Sequence, residues 1–129
     1  MDMEISHILI TPEVSSDATD EETEAAEETA KAKAKEVIDK LKVAKKNGED
    51  LEETFASLAK EYSLDESTKD NGGSLGRINY DTGYDEIIDA AKDLEDGDYS
   101  KTIITTELGY HVILKTKTYE KDELEDLKD

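Results

Sequence analysis

The apolar patterns along this 129-residue chain predict an α+β domain. Three observations carry that expectation. A β-branched run opens the chain, two helical stripes follow it, and two strand-like runs close it around a tight turn.

The first strand is expected over Glu4–Ile10 (EISHILI), ended by Pro12. Glu13 to Glu28 carries no Lys or Arg, and its first half around Ser15-Ser16-Asp17 reads as a loop. Thr19-x-x-Glu22 has the form of a capping box. Beyond it Ala26, Ala30, Ala34, Val37, Ile38, Leu41 and Ala44 recur at helical spacing, and Asn47-Gly48 stops the helix. Asp50-x-x-Glu53 opens a second helix with Leu51, Phe55, Leu58, Ala59 and Tyr62 on one face. A polar stretch from Ser63 closes on Asn71-Gly72-Gly73, and a short extended piece follows at Leu75–Ile78. Tyr84, Ile87, Ile88, Ala91 and Leu94 mark a third helix ended near Gly97. Lys101–Thr105 and Tyr110–Thr118 read as two strands joined at Leu108-Gly109. The order is β-α-α-β-α-β-β, with one domain over residues 1–118 and a charged tail or linker stub over 119–129.

Composition narrows the function. With 35 Asp and Glu against 16 Lys and Arg, the net charge is −19, which disfavours nucleic acid and anionic membrane surfaces as partners. No stretch approaches membrane-spanning length, and no signal peptide is visible. The absence of cysteine excludes disulfides, thiolate metal sites and a Cys nucleophile. His7 and His111 with Asp65 could in principle bind zinc, but a metal site would need a third firm ligand and an open geometry. The run from Asp65 fails as a calcium loop, because Lys69 and Gly76 stand where ligands belong. No Ser-His-Asp arrangement has a nucleophile elbow around it. On residue type alone, the two histidines beside apolar runs are satisfied core side chains or an acid–base pair.

Three segments in order resemble the parvulin family of peptidyl-prolyl isomerases: SHILI near the start, GEDLEETFASLAKEYSLDESTKDNGGSLG from Gly48 to Gly76, and LGYHVILKT from Leu108 to Thr116. The middle segment is similar to the extracytoplasmic PrsA-type foldases of Gram-positive bacteria. The resemblance implies a four-stranded antiparallel sheet flanked by three to four helices. It implies a polar centre at His7, Asp65, Thr106 and His111, and a proline pocket at Leu75, Ile78, Gly83 and Ile87. It implies no cofactor or metal. Partners would be unfolded or partly folded secreted polypeptides with Xaa-Pro bonds, met by a monomeric domain at the cell surface.

Family members usually carry Phe, Met and Phe where this chain has Ile78, Gly83 and Ile87, so weak isomerase activity is expected. A client-binding chaperone module with little turnover is the alternative. The acidic loop Thr11–Glu22 predicts no preference for phosphorylated residues before proline. A mild preference for Lys, Arg or apolar residues is expected there, with the basic preference fading as salt is added.

Overall fold

The computed structural model describes residues 2–119. Its elements are β1 (Asp2–Ile10), α1 (Asp20–Lys46), α2 (Leu51–Tyr62), β2 (Ser74–Ile78), α3 (Asp85–Ala91), β3 (Ile104–Thr106) and β4 (Gly109–Tyr119). Single 3₁₀ turns sit at Lys69–Asn71 and Tyr80–Thr82. The strands form one antiparallel sheet in the order β2-β1-β4-β3. Of the expected tail, all but Tyr119 lies outside the described residues.

Both helix starts form as their sequence signals require. The Thr19 hydroxyl accepts from the Glu22 amide at 3.1 Å, and the Glu22 carboxylate accepts from the Thr19 amide at 3.2 Å. Asp50 accepts from the amides of Glu52 and Glu53. These bonds satisfy donors that a helix start leaves without partners. Ala30, Ala34, Val37, Leu41 and Ala44 then bury one stripe of α1.

The alternation of the central strands β1 and β4 divides the interior. Ile8, Ile10, Tyr110, Val112 and Leu114 point toward α1 and α2, where Phe55 is fully buried. Met3, Ile5 and Ile113 point the other way, toward Ile87, Ile88 and Ala91 of α3. The sheet is therefore covered on both faces, which is why β1 and β4 read as nearly continuous apolar runs.

Two boundaries differ from expectation. The third helix stops at Ala91 rather than near Gly97. The Leu94 amide turns back to the Ala91 carbonyl, and the Leu94 carbonyl accepts a 2.6 Å bond from buried Lys115 of β4. The strand expected at Lys101–Thr105 forms only over Ile104–Thr106, with Tyr99 making a single bridge to Leu114. Ser100 holds the approach to it, its amide donating to the Ile113 carbonyl and its hydroxyl accepting from the Ile113 amide. The tight turn falls at Glu107–Leu108, one residue earlier than expected.

Gly73 joins the polar loop to β1. Its carbonyl accepts from the His7 amide at 2.8 Å, its φ is +78°, and a Cβ there would lie 2.3 Å from the His7 carbonyl oxygen. Only glycine combines that φ with so close a backbone approach. Gly73→Ala is therefore expected to cost more than about 2 kcal/mol of unfolding free energy. Urea denaturation checks this, and a change within about 0.5 kcal/mol would contradict it.

Candidate functional site

His7 and His111 lie on adjacent central strands, on the face that α3 covers. The register pairs His7 with Ile113 and Leu9 with His111, making the two histidines diagonal cross-strand neighbours. Their Nδ1 atoms are 3.0 Å apart and their rings stack with centroids 5.2 Å apart. Both are buried.

Asp65 reaches His7 around the edge of the sheet. β2 covers β1 only as far as its first half, so the backbone of Leu9 is free on that side. The segment after α2 takes it: the Ser63 hydroxyl accepts from the Leu9 amide, and the Leu64 amide donates to the Leu9 carbonyl. The next residue, Asp65, places Oδ2 2.7 Å from His7 Nε2. Thr68 donates to the same oxygen, while the amide and hydroxyl of Ser67 both donate to Oδ1. At the other end Thr106 Oγ1 lies 2.7 Å from His111 Nε2 and accepts from the Leu108 amide. The four expected polar residues thus form one chain: Asp65, His7, His111, Thr106.

Burial pushes the Asp65 carboxyl up, but the bonds from Ser67, His7 and Thr68 together outweigh it and hold it down at about 2. Burial, then the charge of His7, pushes His111 down to about 4. At neutral pH Asp65 is ionised and His111 is neutral. The ionised carboxylate keeps a hydrogen on His7 Nε2, and only one of the two facing Nδ1 atoms can carry another. When His111 supplies that hydrogen, its Nε2 accepts from the Thr106 hydroxyl. When one further proton enters the pair from solvent and the shared hydrogen lies on the His7 side, His111 turns its Nε2–H toward Thr106, and the Thr106 hydroxyl keeps its hydrogen and is free to donate it elsewhere.

Beside this chain lies a shallow cavity of about 100 Å³. His7, His111 and Thr106 line its polar side; Gly83, Tyr84, Ile87 and Leu108 line the remainder with the side chains of Glu86 and Glu107. Of the four expected pocket residues, Gly83 and Ile87 stand on this wall. Leu75 and Ile78 do not line it: Ile78 is buried in the cluster under α3, and Leu75 packs against that cluster. Alternation along β2 and its pairing with Met3 send Ile78 into the core. Sequence reasoning missed Tyr84, Glu86, Glu107 and Leu108 as lining residues. The available signal was Leu108, a large apolar residue in a turn between strands; it is 57% exposed.

A four-stranded sheet with paired imidazoles under a small apolar cup defines a parvulin-type domain. The sequence model of the rotamase family, the PPIC-type PPIase domain, matches residues 7–117, and the chain belongs to that family. Foldase protein PrsA 2 of Listeria monocytogenes is 37% identical over 129 residues, covering 94% of this chain and 34% of that protein. A structure of a SurA-like chaperone of Campylobacter jejuni superposes with a TM-score of 0.68 at 30% identity, covering 97% of this chain and 44% of that one. The parvulin of Nitrosopumilus maritimus gives 0.59 at 28% identity, covering 90% of this chain and 96% of that one. The chain spans about a third of the length of the first curated relatives it matches.

Both pKa shifts have one sign. The folded state holds protons on Asp65 and His111 less readily than the unfolded chain does. Their stabilisation is complete above about pH 6.5, declines toward pH 4 through His111, and declines further toward pH 2 through Asp65. Self-repulsion among the many carboxylates relaxes over the same range, so the test is a difference. His111→Ala is expected to lose about 1–3 kcal/mol at pH 7 by leaving buried partners unsatisfied. That deficit should narrow between pH 6.5 and 4 in thermal melts of both proteins; a deficit constant with pH would contradict the assignment.

Proposed function

We propose that this domain catalyses cis–trans isomerisation of Xaa-Pro bonds in unfolded or partly folded polypeptides, as one domain of a larger foldase acting outside the cytoplasm. The observation that carries the reading is the apolar cup beside the buried Asp65–His7–His111–Thr106 chain. Membership of the PPIC-type family supports it, as do the foldase names of its relatives.

The reaction needs no covalent bond to break. Amide resonance sets a rotation barrier of roughly 18–20 kcal/mol, and proline leaves cis and trans close in energy. The three methylenes of a pyrrolidine ring gain about 0.8 kcal/mol each on leaving water, which seats the ring against Ile87, Tyr84 and Leu108. That holding force alone does not accelerate rotation, because planar and twisted amides share it. The acceleration comes from groups that favour the twisted form. An apolar surround withholds water from the planar amide, whose resonance makes it the more polar state. Thr106 is positioned to meet the flanking backbone with either a lone pair or a hydrogen. The imidazoles hold the floor and orient Thr106; proton transfer to substrate has no place in the scheme.

Gly83 and Ile87 leave the cup shallow. Ile87 is 3% exposed and lies between the α3 cluster and the cavity, so a phenyl ring there extends into the cavity. Gly83 has a φ of +87°, which a Met side chain would strain even with open space around it. In an exchange or protease-coupled assay on short Xaa-Pro peptides, wild type should be active and Ile87→Phe faster by about three- to tenfold. Gly83→Met should show less gain and a lower melting temperature. A folded wild type that binds proline peptides without isomerising them would leave the client-binding alternative instead.

A further inference from the structure

We propose that the bound segment continues from the cup across the β3–β4 turn into a second hollow, and that Glu107, on the ridge between them, selects a Lys or Arg beside the proline. The inference rests on the isomerase reading and specifies its substrate.

A hollow of about 350 Å³ adjoins the cup, walled by Pro12 and Val14 from the acidic loop, Glu27 of α1, and Tyr110 of β4. Thr106, Glu107 and Leu108 line both cavities, so the two meet along this turn. An extended chain advances roughly 3.3–3.6 Å per residue. A proline seated in the cup therefore sends one of its neighbours directly over Leu108.

Two features of the ridge decide what that neighbour is. It carries an exposed apolar side chain, Leu108 at 57%, and faces a second one, Val14 at 48%, on the wall of the second hollow. It is also flanked only by negative charge: Glu86 and Glu107 line the cup, and Glu27 and Glu107 line the second hollow. No Lys or Arg lines either one. Lys31 rests against the ring of Tyr110, 5.6 Å from its centroid, outside the lining. Glu27 accepts a long bond, 3.5 Å, from the Tyr110 hydroxyl. Among the described residues, Glu86 and Glu107 enter no side-chain hydrogen bond or ion pair. An acidic neighbour is repelled here, and a purely apolar one leaves the carboxylates unused. A Lys or Arg lays its methylene stem on Leu108 and Val14 while its charge reaches Glu107.

The test measures isomerisation by NMR exchange on peptides with Lys, Ala or Glu placed before or after the proline. It uses wild type, Glu107→Gln and Glu107→Lys, at low ionic strength and at about 0.5 M salt. The Lys peptide should exceed the Glu peptide by about tenfold in kcat/KM for wild type at low salt. That ratio should shrink severalfold in high salt and in Glu107→Gln, and reverse in Glu107→Lys. A ratio indifferent to both substitutions, with the peptides still isomerised, overturns the proposal. If no peptide is isomerised, the isomerase reading fails by itself. The ratio of peptide dissociation constants, read from the same spectra, then decides the role of Glu107 by the same criteria.

Discussion

Two imidazoles facing each other through Nδ1 can hold only one hydrogen between them, and the polar centre is organised around that limit. An ionised Asp65 fixes a hydrogen on the outer nitrogen of His7. The shared hydrogen then dictates the orientation of His111, and His111 dictates that of Thr106. One proton thus sets what the Thr106 hydroxyl presents to the cup, across a path that begins at a carboxylate on the far side of the sheet. A second hydrogen at the contact would place two donors against each other in a buried space. Burial, and after it the charge of His7, gives His111 a low affinity for protons, which keeps that second hydrogen away.

Holding two side chains to a 3.0 Å contact requires neighbours that cannot slide. A one-residue slip between β1 and β4 would send one histidine into the cluster under α1 and α2. The register resists this because both faces are buried. The edges of the sheet complete the centre. β2 stops short along β1, and the vacant backbone of Leu9 is taken by Ser63 and Leu64, which delivers Asp65. On the opposite edge β3 is only three residues long, and its end places Thr106 beside His111. Incomplete edge strands are what let polar residues enter an otherwise apolar face.

Much of this was legible in the sequence, and the boundary between legible and hidden is physical. The capping box at Thr19, the N-cap at Asp50, the apolar stripe of α1 and the runs of β1 and β4 are local signals written within one or two turns of chain. The end of α3 was not legible, because the residue holding the Leu94 carbonyl is Lys115, 21 positions away on another strand. Nor was the depth of Ile78, which depends on its register with Met3. The histidines occupy the middle case. Their residue type and setting left core packing and acid–base roles open, and the resemblance to parvulins joined them. Their contact spans 104 positions, a distance no local pattern bridges. Leu108 escaped because the family pattern directs attention to the opposite wall of the cup.

The charge of the molecule and the neutrality of His111 pull in opposite directions, and their ranges decide the outcome. A net charge of −19 favours protonated histidine in general. Under physiological salt, however, surface charges fade over roughly 8–10 Å, whereas removal from water acts on the ring itself. Burial prevails at His111 even with the Asp65 carboxylate acting in the opposite sense. The two imidazoles are thereby insulated from the surface, while Asp65 and Thr106 at the ends of the chain stay partly exposed. Substituting the exposed carboxylates around the cup is therefore expected to leave His111 neutral at pH 7. In the proposed scheme, site chemistry and segment choice are separated by depth, with the first set by what is buried and the second by what is exposed.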